Sequence, residues 1–375
     1  MKEKLIENLS YQICPECGCK EIGIDNWGMF SEDRDWFYYC KDCDATFYLK
    51  DEREEYGMKV LSLFSGIGAF EKALRNIGID YELVGFSEID KHAIKSYCAI
   101  HKVNENLNLG DVKKIDTGKI EDFDLLVGGS PCQNISIMRK TWAEGNKQEG
   151  LKGEESRLFF EYVRILNDKL PKYFVFENVR SLLTTNDGED FKVVTELLGE
   201  NYNIHYQTLN SSDYGIPQTR RRLFVIGQRK DLGVFDYEFP TPFELRITVQ
   251  DLLETQVDEK YYLTEKMRDT VMATGTKDWY AKPETDCKIA KPLTRTMHKM
   301  HRASQDNYYH TEYQPVGKTN LRRLTPLECF RLQGFSDEDY QKTRNAKISD
   351  TQMYMQTGNS ITVNVLEEIF KKLFN

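Results

Sequence analysis

The sequence predicts an α/β fold, an open, doubly wound sheet with helices on both faces, and three observations carry that reading. From Lys59 onward, short apolar stretches (LSLF, YELVGFSE, DLLVGG, YFVFEN, RLFVIG) alternate with stretches of helical apolar period. Strands that alternate with helices in this way build parallel sheets buried on both sides. The first strand opens directly into a glycine-rich turn, and the second and fourth end in acids. Polar chemistry is thereby gathered along one edge of the sheet.

Ahead of this pattern stands a cysteine-rich segment. Cys14-x-x-Cys17 and Cys40-x-x-Cys43 are separated by 22 residues. Two such knuckles place four thiolates for tetrahedral Zn2+, so residues 1–50 are expected to form a zinc-ribbon-like module. Cys19 is a spare thiol in the same run, and a redox dithiol pair is the alternative. The N-terminus lacks a signal-peptide core and no apolar run is long enough to span a membrane. The nine cysteines are therefore read as thiols, metal ligands or nucleophiles rather than disulfides. A charged connector, KDEREEYG, leads into the first strand.

That strand runs into Phe64-Ser65-Gly66-Ile67-Gly68-Ala69, and IGAFEKALRNIG has helical spacing ended by Gly78. Glycines here let the backbone pass close to a nucleotide-like ligand. The second strand ends in Glu88-Ile89-Asp90, where folds of this class hold ribose hydroxyls, and KHAIKSYCAIHK follows as a helix. Asp111 is expected at the end of a third strand. The pyrophosphate signature GxGxxG is missing, which points to a nucleoside rather than a dinucleotide.

The next strand carries Gly-Gly-Ser-Pro131-Cys132-Gln133 past its carboxyl end. A thiol at that crevice is a candidate nucleophile, although cysteines in such settings more often simply pack. Glu177 follows four apolar residues, so burial is expected to raise its pKa. Before the last strand comes Gln218-Thr219-Arg220-Arg221-Arg222; in an extended segment Arg220 and Arg222 share a face. Residues 157–169 and 189–200 read as helices. From about Asp231 to Asn320 no period emerges, and SITVNVLEEIFKKLF closes the sequence as an amphipathic helix.

The net charge is −9, but it is unevenly spread: residues 1–57 hold 7 Lys/Arg against 14 Asp/Glu. Residues 288–323 hold 8 Lys/Arg against 2 Asp/Glu, together with Tyr308, Tyr309 and three histidines. Local field decides attraction to phosphates, so overall acidity does not exclude a nucleic-acid substrate. Tyr308, Tyr309 and the histidines are expected to touch bases or sugars.

Taken in order, LFSGIGAF, SEID, GDV, GGSPCQNIS, ENV, QTRRR, RRLTPLECFRLQGF and QTGNSITVNVLEEI resemble the bacterial and phage cytosine-5 DNA methyltransferases over residues 58–375. The resemblance implies a Rossmann-like S-adenosylmethionine methyltransferase sheet. It makes Cys132 the nucleophile, Glu177 the partner of cytosine N3, and Arg220 and Arg222 active-site arginines. Phe64, Gly66, Gly68, Glu88, Ile89, Asp111, Val112, Asn359 and Ser360 fall on positions that contact S-adenosylmethionine. The C-terminal helix is expected to return to the sheet, and residues 136–157 to close on DNA. Ser130, Ala69 and Ile89 depart from the commonest family residues without removing a reactive group.

The implied organisation is a catalytic domain over 58–240 completed by 345–375, with a small irregular target-recognition domain over 241–344. The expected partner is double-stranded DNA, with no membrane contact. The protein is expected to be a monomer in the cytoplasm of a bacterium or a phage-infected cell. A tRNA-modifying branch of the family is disfavoured because its Cys-Phe-Thr signature is missing from 288–323. A silent DNA-binding relative is disfavoured by the joint presence of Cys132, Glu177, Arg220 and Arg222.

Overall fold

A computed structural model of the chain describes residues 57–130, 154–276 and 279–374, with four short strands ahead of them. In those strands, and at 154–157, 276 and 279, only the backbone is described. The chain divides into two compact units, Met1–Gly57 and Met58–Asn375.

In the first unit, β1 (Lys4–Ile6), β2 (Ile22–Gly23), β3 (Phe37–Cys40) and β4 (Thr46–Leu49) form one sheet in the order β1-β4-β3-β2. Cys14, Cys17 and Cys43 lie outside the described residues, and Cys40 contributes only the last backbone position of β3. The zinc expectation therefore falls outside what is described.

The second unit is built on β5 (Met58–Leu63), β6 (Tyr81–Ser87), β7 (Leu125–Gly128), β8 (Tyr173–Val179), β9 (Tyr202–Asn210) and β10 (Arg221–Arg229), in the order β6-β5-β7-β8-β10-β9. Helices α1 (Ala69–Asn76), α2 (Lys91–His101), α3 (Glu154–Lys169) and α4 (Glu189–Leu198) follow the chain's alternation. Successive strand residues feed opposite faces. Val60, Leu125, Val127, Phe224 and Ile226 pack with Phe70, Ala73 and Leu74 of α1. Leu61, Leu126, Leu223 and Val225 pack with Phe159, Tyr162 and Leu166 of α3 and with Val194 and Leu198 of α4. This is a sheet buried on both sides, as its doubly apolar strands require.

Two expectations are corrected. The sheet is mixed rather than parallel, because β10 runs antiparallel to both β8 and β9. The connection from β9 to β10, residues 211–220, is shorter than the dozen or so residues a parallel crossover needs, so the chain turns straight back. The third acid-bearing strand is also reduced to a single bridge, Phe86 to Asn108. Beyond it Gly110 turns the chain with φ 69°, and Asp111 caps a short 3-10 turn over Val112–Lys114 instead of ending a strand.

The stretch after β10 contains α5 (Glu265–Val271) and two small hairpin sheets, β11 (Gly275–Thr276) with β12 (Trp279–Tyr280) and β13 (Tyr308–His310) with β14 (Leu321–Arg323). It packs around its own apolar residues, among them Leu263, Val271, Ala303, Tyr308 and Leu321. The chain then passes through α6 (Pro326–Arg331), α7 (Asp337–Asn345) and α8 (Asp350–Asn359) to α9 (Val363–Phe374). Val363, Leu366, Ile369 and Phe370 of α9 join the α1 side of the core, and the Phe70 and Phe370 rings lie 6.4 Å apart. The C-terminal helix thus returns to the sheet, as expected, on the face that α1 covers. Among the described residues no helix is long and apolar enough to cross a membrane.

Candidate active site

Glu177 sits on β8 and faces Arg222 of β10. The ladder pairs Arg222 with Val179, so Glu177, two residues along on the same face, is its diagonal neighbour. Arg222 Nε donates to Glu177 Oε1 at 3.0 Å, with the side chains 21% and 12% exposed. Burial pushes the Glu177 carboxyl above its usual range; the Arg222 and Arg220 charges oppose that shift without cancelling it. An acid so placed can keep a proton where an exposed carboxylate has lost its own.

The backbone leaving β7 runs directly beside this pair. A Cβ on Gly129 would lie 2.6 Å from Glu177 Oε2, so the carboxylate fills the space a side chain would need. Asn178, on the opposite face of β8 from Glu177, is buried and donates Nδ2–H to the Ser130 carbonyl at 2.6 Å. Its Oδ1 accepts the Val179 amide at 2.9 Å, which fixes the side chain. Cys132 lies outside the described residues, as do residues 136–153 of the expected closing loop; residues 154–157 begin α3. Ser130, two residues before the cysteine, is the last described position on this side.

Arg220 precedes β10 and Arg222 lies on it, and their surroundings differ. Arg220 is 3% exposed and spends its guanidinium on backbone. Nη1 donates to Leu293 O at 2.9 Å, and Nη2 to Gly358 O at 3.1 Å and Ser360 O at 2.6 Å. Burial, then the Arg222 charge, bring its pKa down to about 9, so it stays cationic at neutral pH. Gln218, fully buried, adds a parallel tie: Nε2 donates to Leu332 O at 2.8 Å and Oε1 accepts the Leu293 amide at 2.9 Å. A Cβ on Gly358 would lie 2.3 Å from the Thr294 carbonyl carbon, so glycine permits the backbones to meet here. Arg220 therefore clasps the irregular segment and the end of α8 onto the catalytic strands, with exposed Asn359 between two of its acceptors.

At the other edge, the turn after β5 uses left-handed backbone at Phe64 (φ 53°), Gly66 (φ 56°) and Gly68 (φ 80°). The Gly66 amide donates to Glu88 Oε2 at 3.0 Å, while Glu88 Oε1 accepts the Ile89 and Asp90 amides at 2.7 and 2.8 Å. The carboxylate is thus oriented before any ligand arrives. A Cβ at Gly66 would meet nothing within 4 Å, and Ile89 is 76% exposed beside it. An oriented acceptor for hydroxyl donors, open space over the turn and a free apolar side chain fit a nucleoside-type cofactor. Asp111 spends Oδ1 on the Lys113 amide at 3.1 Å. Val112 puts its side chain into the core, and its carbonyl accepts from Arg164 Nη2 at 3.2 Å. Ser360 Oγ donates to Ile361 O at 3.1 Å.

One expectation fails. Tyr308 and Tyr309 are each 1% exposed, with hydroxyls on the His301 and Cys287 carbonyls, so they support the segment from inside. Arg322 is likewise internal, bonded through both Nη atoms to Glu328 at 2.8 and 2.7 Å. Lys288, Arg295 and Lys299 remain exposed. Sequence reasoning also missed Gly129, Asn178, Gln218 and Gly358 as site residues, although each lies inside a quoted motif.

Residues 58–375 match the family described as C-5 cytosine-specific DNA methylase. The orphan methyltransferase M.SPRI of Bacillus phage SPR is 36% identical, with 85% of this chain and 98% of that one covered. The type II methyltransferase M1.ScrFI of Lactococcus lactis subsp. cremoris is 32% identical, covering 86% of this chain and 79% of its own. Among solved structures, the Entamoeba histolytica methyltransferase EhMeth superposes with a TM-score of 0.65 at 23% identity, over 85% of this chain and 98% of that one. That last likeness is one of fold.

Proposed function

The chain belongs to the C-5 cytosine-specific DNA methylase family, and from that membership we propose that it methylates a cytosine flipped out of double-stranded DNA at a specific short site. S-adenosylmethionine would supply the electrophilic methyl group when bound, and Phe64, Gly66, Gly68, Glu88, Ile89, Asp111, Val112, Asn359 and Ser360 would surround it. The target base has to leave the stack because a nucleophile cannot reach its ring edge within the duplex. The Cys132 thiolate then bonds to cytosine carbon 6. The ring's 5,6 electron pair moves to carbon 5, which becomes the nucleophile toward the methyl group. The methyl group's bond to the donor sulfur would break as its bond to carbon 5 forms, releasing S-adenosylhomocysteine. Water would then take the carbon-5 proton, and the freed pair would re-form the 5,6 double bond and expel the Cys132 thiolate.

The observation that carries this reading is the Glu177–Arg222 pair at 3.0 Å, set beside the backbone that leads to Cys132. A carboxyl with a raised pKa can give a hydrogen bond to cytosine N3 and withdraw charge as the thiolate adds. Arg222, which holds that acid, would also reach the base's O2. Arg220 supports the site from behind, through the carbonyls it binds.

A duplex carrying 5-fluorocytosine tests the mechanism, since fluorine cannot leave as a proton does. With S-adenosylmethionine, the parent protein should remain covalently attached to it. No trapped complex, or one that persists in Cys132→Ser, would overturn the mechanism. Target choice is assigned to residues 241–344, and replacing Arg295 and Lys299 with Ala should flatten the salt dependence of DNA binding. Unchanged binding and site preference would move recognition elsewhere. For the first unit, the Cys14, Cys17, Cys40 and Cys43 spacing supports one structural Zn2+ per chain, and elemental analysis finding none would remove it. The orphan and type II relatives support a role in marking host or phage DNA against nucleases. Loss of that protection on deleting the gene is the corresponding test.

A further inference from the structure

We propose that His101 is a positioning residue that sets the cofactor turn, acting through the Ile67 carbonyl. The proposal rests on the S-adenosylmethionine reading and extends it to a residue that faces away from the ligand.

His101 is the last residue of α2 and is 7% exposed. Its Nε2 lies 2.9 Å from Ile67 O, in the middle of the turn, and its Nδ1 lies 2.7 Å from Arg75 Nη2. A carbonyl only accepts and a guanidinium only donates, so one arrangement satisfies both: Nε2–H donates to Ile67 and Nδ1 accepts from Arg75. That arrangement requires a neutral ring. Burial, reinforced by the Arg75 charge, keeps it neutral down to a pKa of about 3.

The ring is itself held in place. It lies 4.5 Å from the Tyr97 ring, which stacks on Phe86 at 4.1 Å and donates its hydroxyl to buried Glu71 at 2.9 Å. Gly68 completes the fit, because a Cβ there would lie 2.0 Å from His101 Nε2. Glycine is therefore demanded at this position twice, by its left-handed φ and by the imidazole. The turn is gripped from two directions. Glu88, just before α2, takes the Gly66 amide, and His101, at the end of the same helix, takes the next carbonyl. The geometry of Gly66, over which the ligand would lie, then depends on one helix holding its two ends in register. Without the His101 donor, the Ile67 carbonyl is left buried and the turn can rotate to satisfy it elsewhere.

The test compares the full chain with His101→Phe, which keeps the ring, and His101→Gln, which keeps an Nε2–H of similar reach. Calorimetry would measure the affinity for S-adenosylmethionine, and anisotropy would measure duplex DNA binding without cofactor. His101→Phe should weaken cofactor binding by about tenfold or more, while His101→Gln stays within about threefold of the parent. DNA affinity should be alike in all three. Parent-like cofactor binding by His101→Phe overturns the proposal, as does equal loss in both variants or a matching loss of DNA affinity. A parent chain that fails to bind S-adenosylmethionine overturns the methyl-donor reading, and this proposal with it.

Discussion

At the scale of single residues, the edge of the sheet that carries Glu177 is built by close approach. Glu177 has room for its carboxyl only because residue 129 is glycine. Gly129→Ala should displace that carboxyl by an ångström or so and cost about 100-fold in kcat. Circular dichroism and thermal unfolding should stay near those of the parent; full activity would show that the carboxyl's position is not critical. The charge of Arg222 gives a second handle. Burial raises the pKa of Glu177 and Arg222 lowers it again, so Arg222→Ala should raise it further. If the acid acts in its protonated form, the alkaline limb of the single-turnover pH profile should move upward, and a downward move would exclude that role. The same sign governs stability. A raised carboxyl favours folding most below its unfolded pKa, and that contribution is lost as pH rises through the folded value. Glu177 was legible in the sequence as an acid behind four apolar residues. The functions of Gly129 and Asn178 were not, because they depend on which residues of β7 and β8 lie side by side.

At the scale of elements, the irregular segment is held by a small number of buried polar joints. Glu328, on α6, is fully buried and accepts both Nη groups of Arg322 as well as the Thr325 and Glu254 amides. Glu328→Gln leaves the Arg322 guanidinium inside with a neutral partner. It should cost about 3–5 kcal/mol in urea unfolding, with early loss of DNA binding. A change below about 1 kcal/mol would show that the pair is dispensable. RRLTPLECF was quoted from the sequence as a motif, yet the pairing of its first arginine, Arg322, with its glutamate was not foreseen. Composition marks arginines as cations facing solvent, and only the fold shows which are neutralised inside. Strand β9 escaped notice for a related reason. It lies at the sheet's edge, and its run YNIHYQTLN carries too many polar residues for an apolar period to stand out.

At the scale of the whole unit, the helix-and-strand alternation and the returning C-terminal helix were both legible. Each rests on a long apolar period or a dense motif. The reversed direction of β10 was not, since strand polarity leaves no mark in periodicity and shows only in the shortness of the connection before it. Deleting α9 should leave the unit unable to fold. Leu366, Ile369 and Phe370 are each fully buried, and each loses about 1.5–3 kcal/mol of burial against a net stability of only about 5–15 kcal/mol. A shortened chain that kept a cooperative transition and cofactor binding would contradict this. The seam between α1 and α9 also has a consequence in time. Nearly 300 residues separate Asn76 from Val363, and at about 5–20 residues per second the first helix waits roughly 15–60 seconds on the ribosome for its partner. The turn at that helix's start cannot settle before then, so a nascent chain should be unable to mark DNA until synthesis of the last helix is finished.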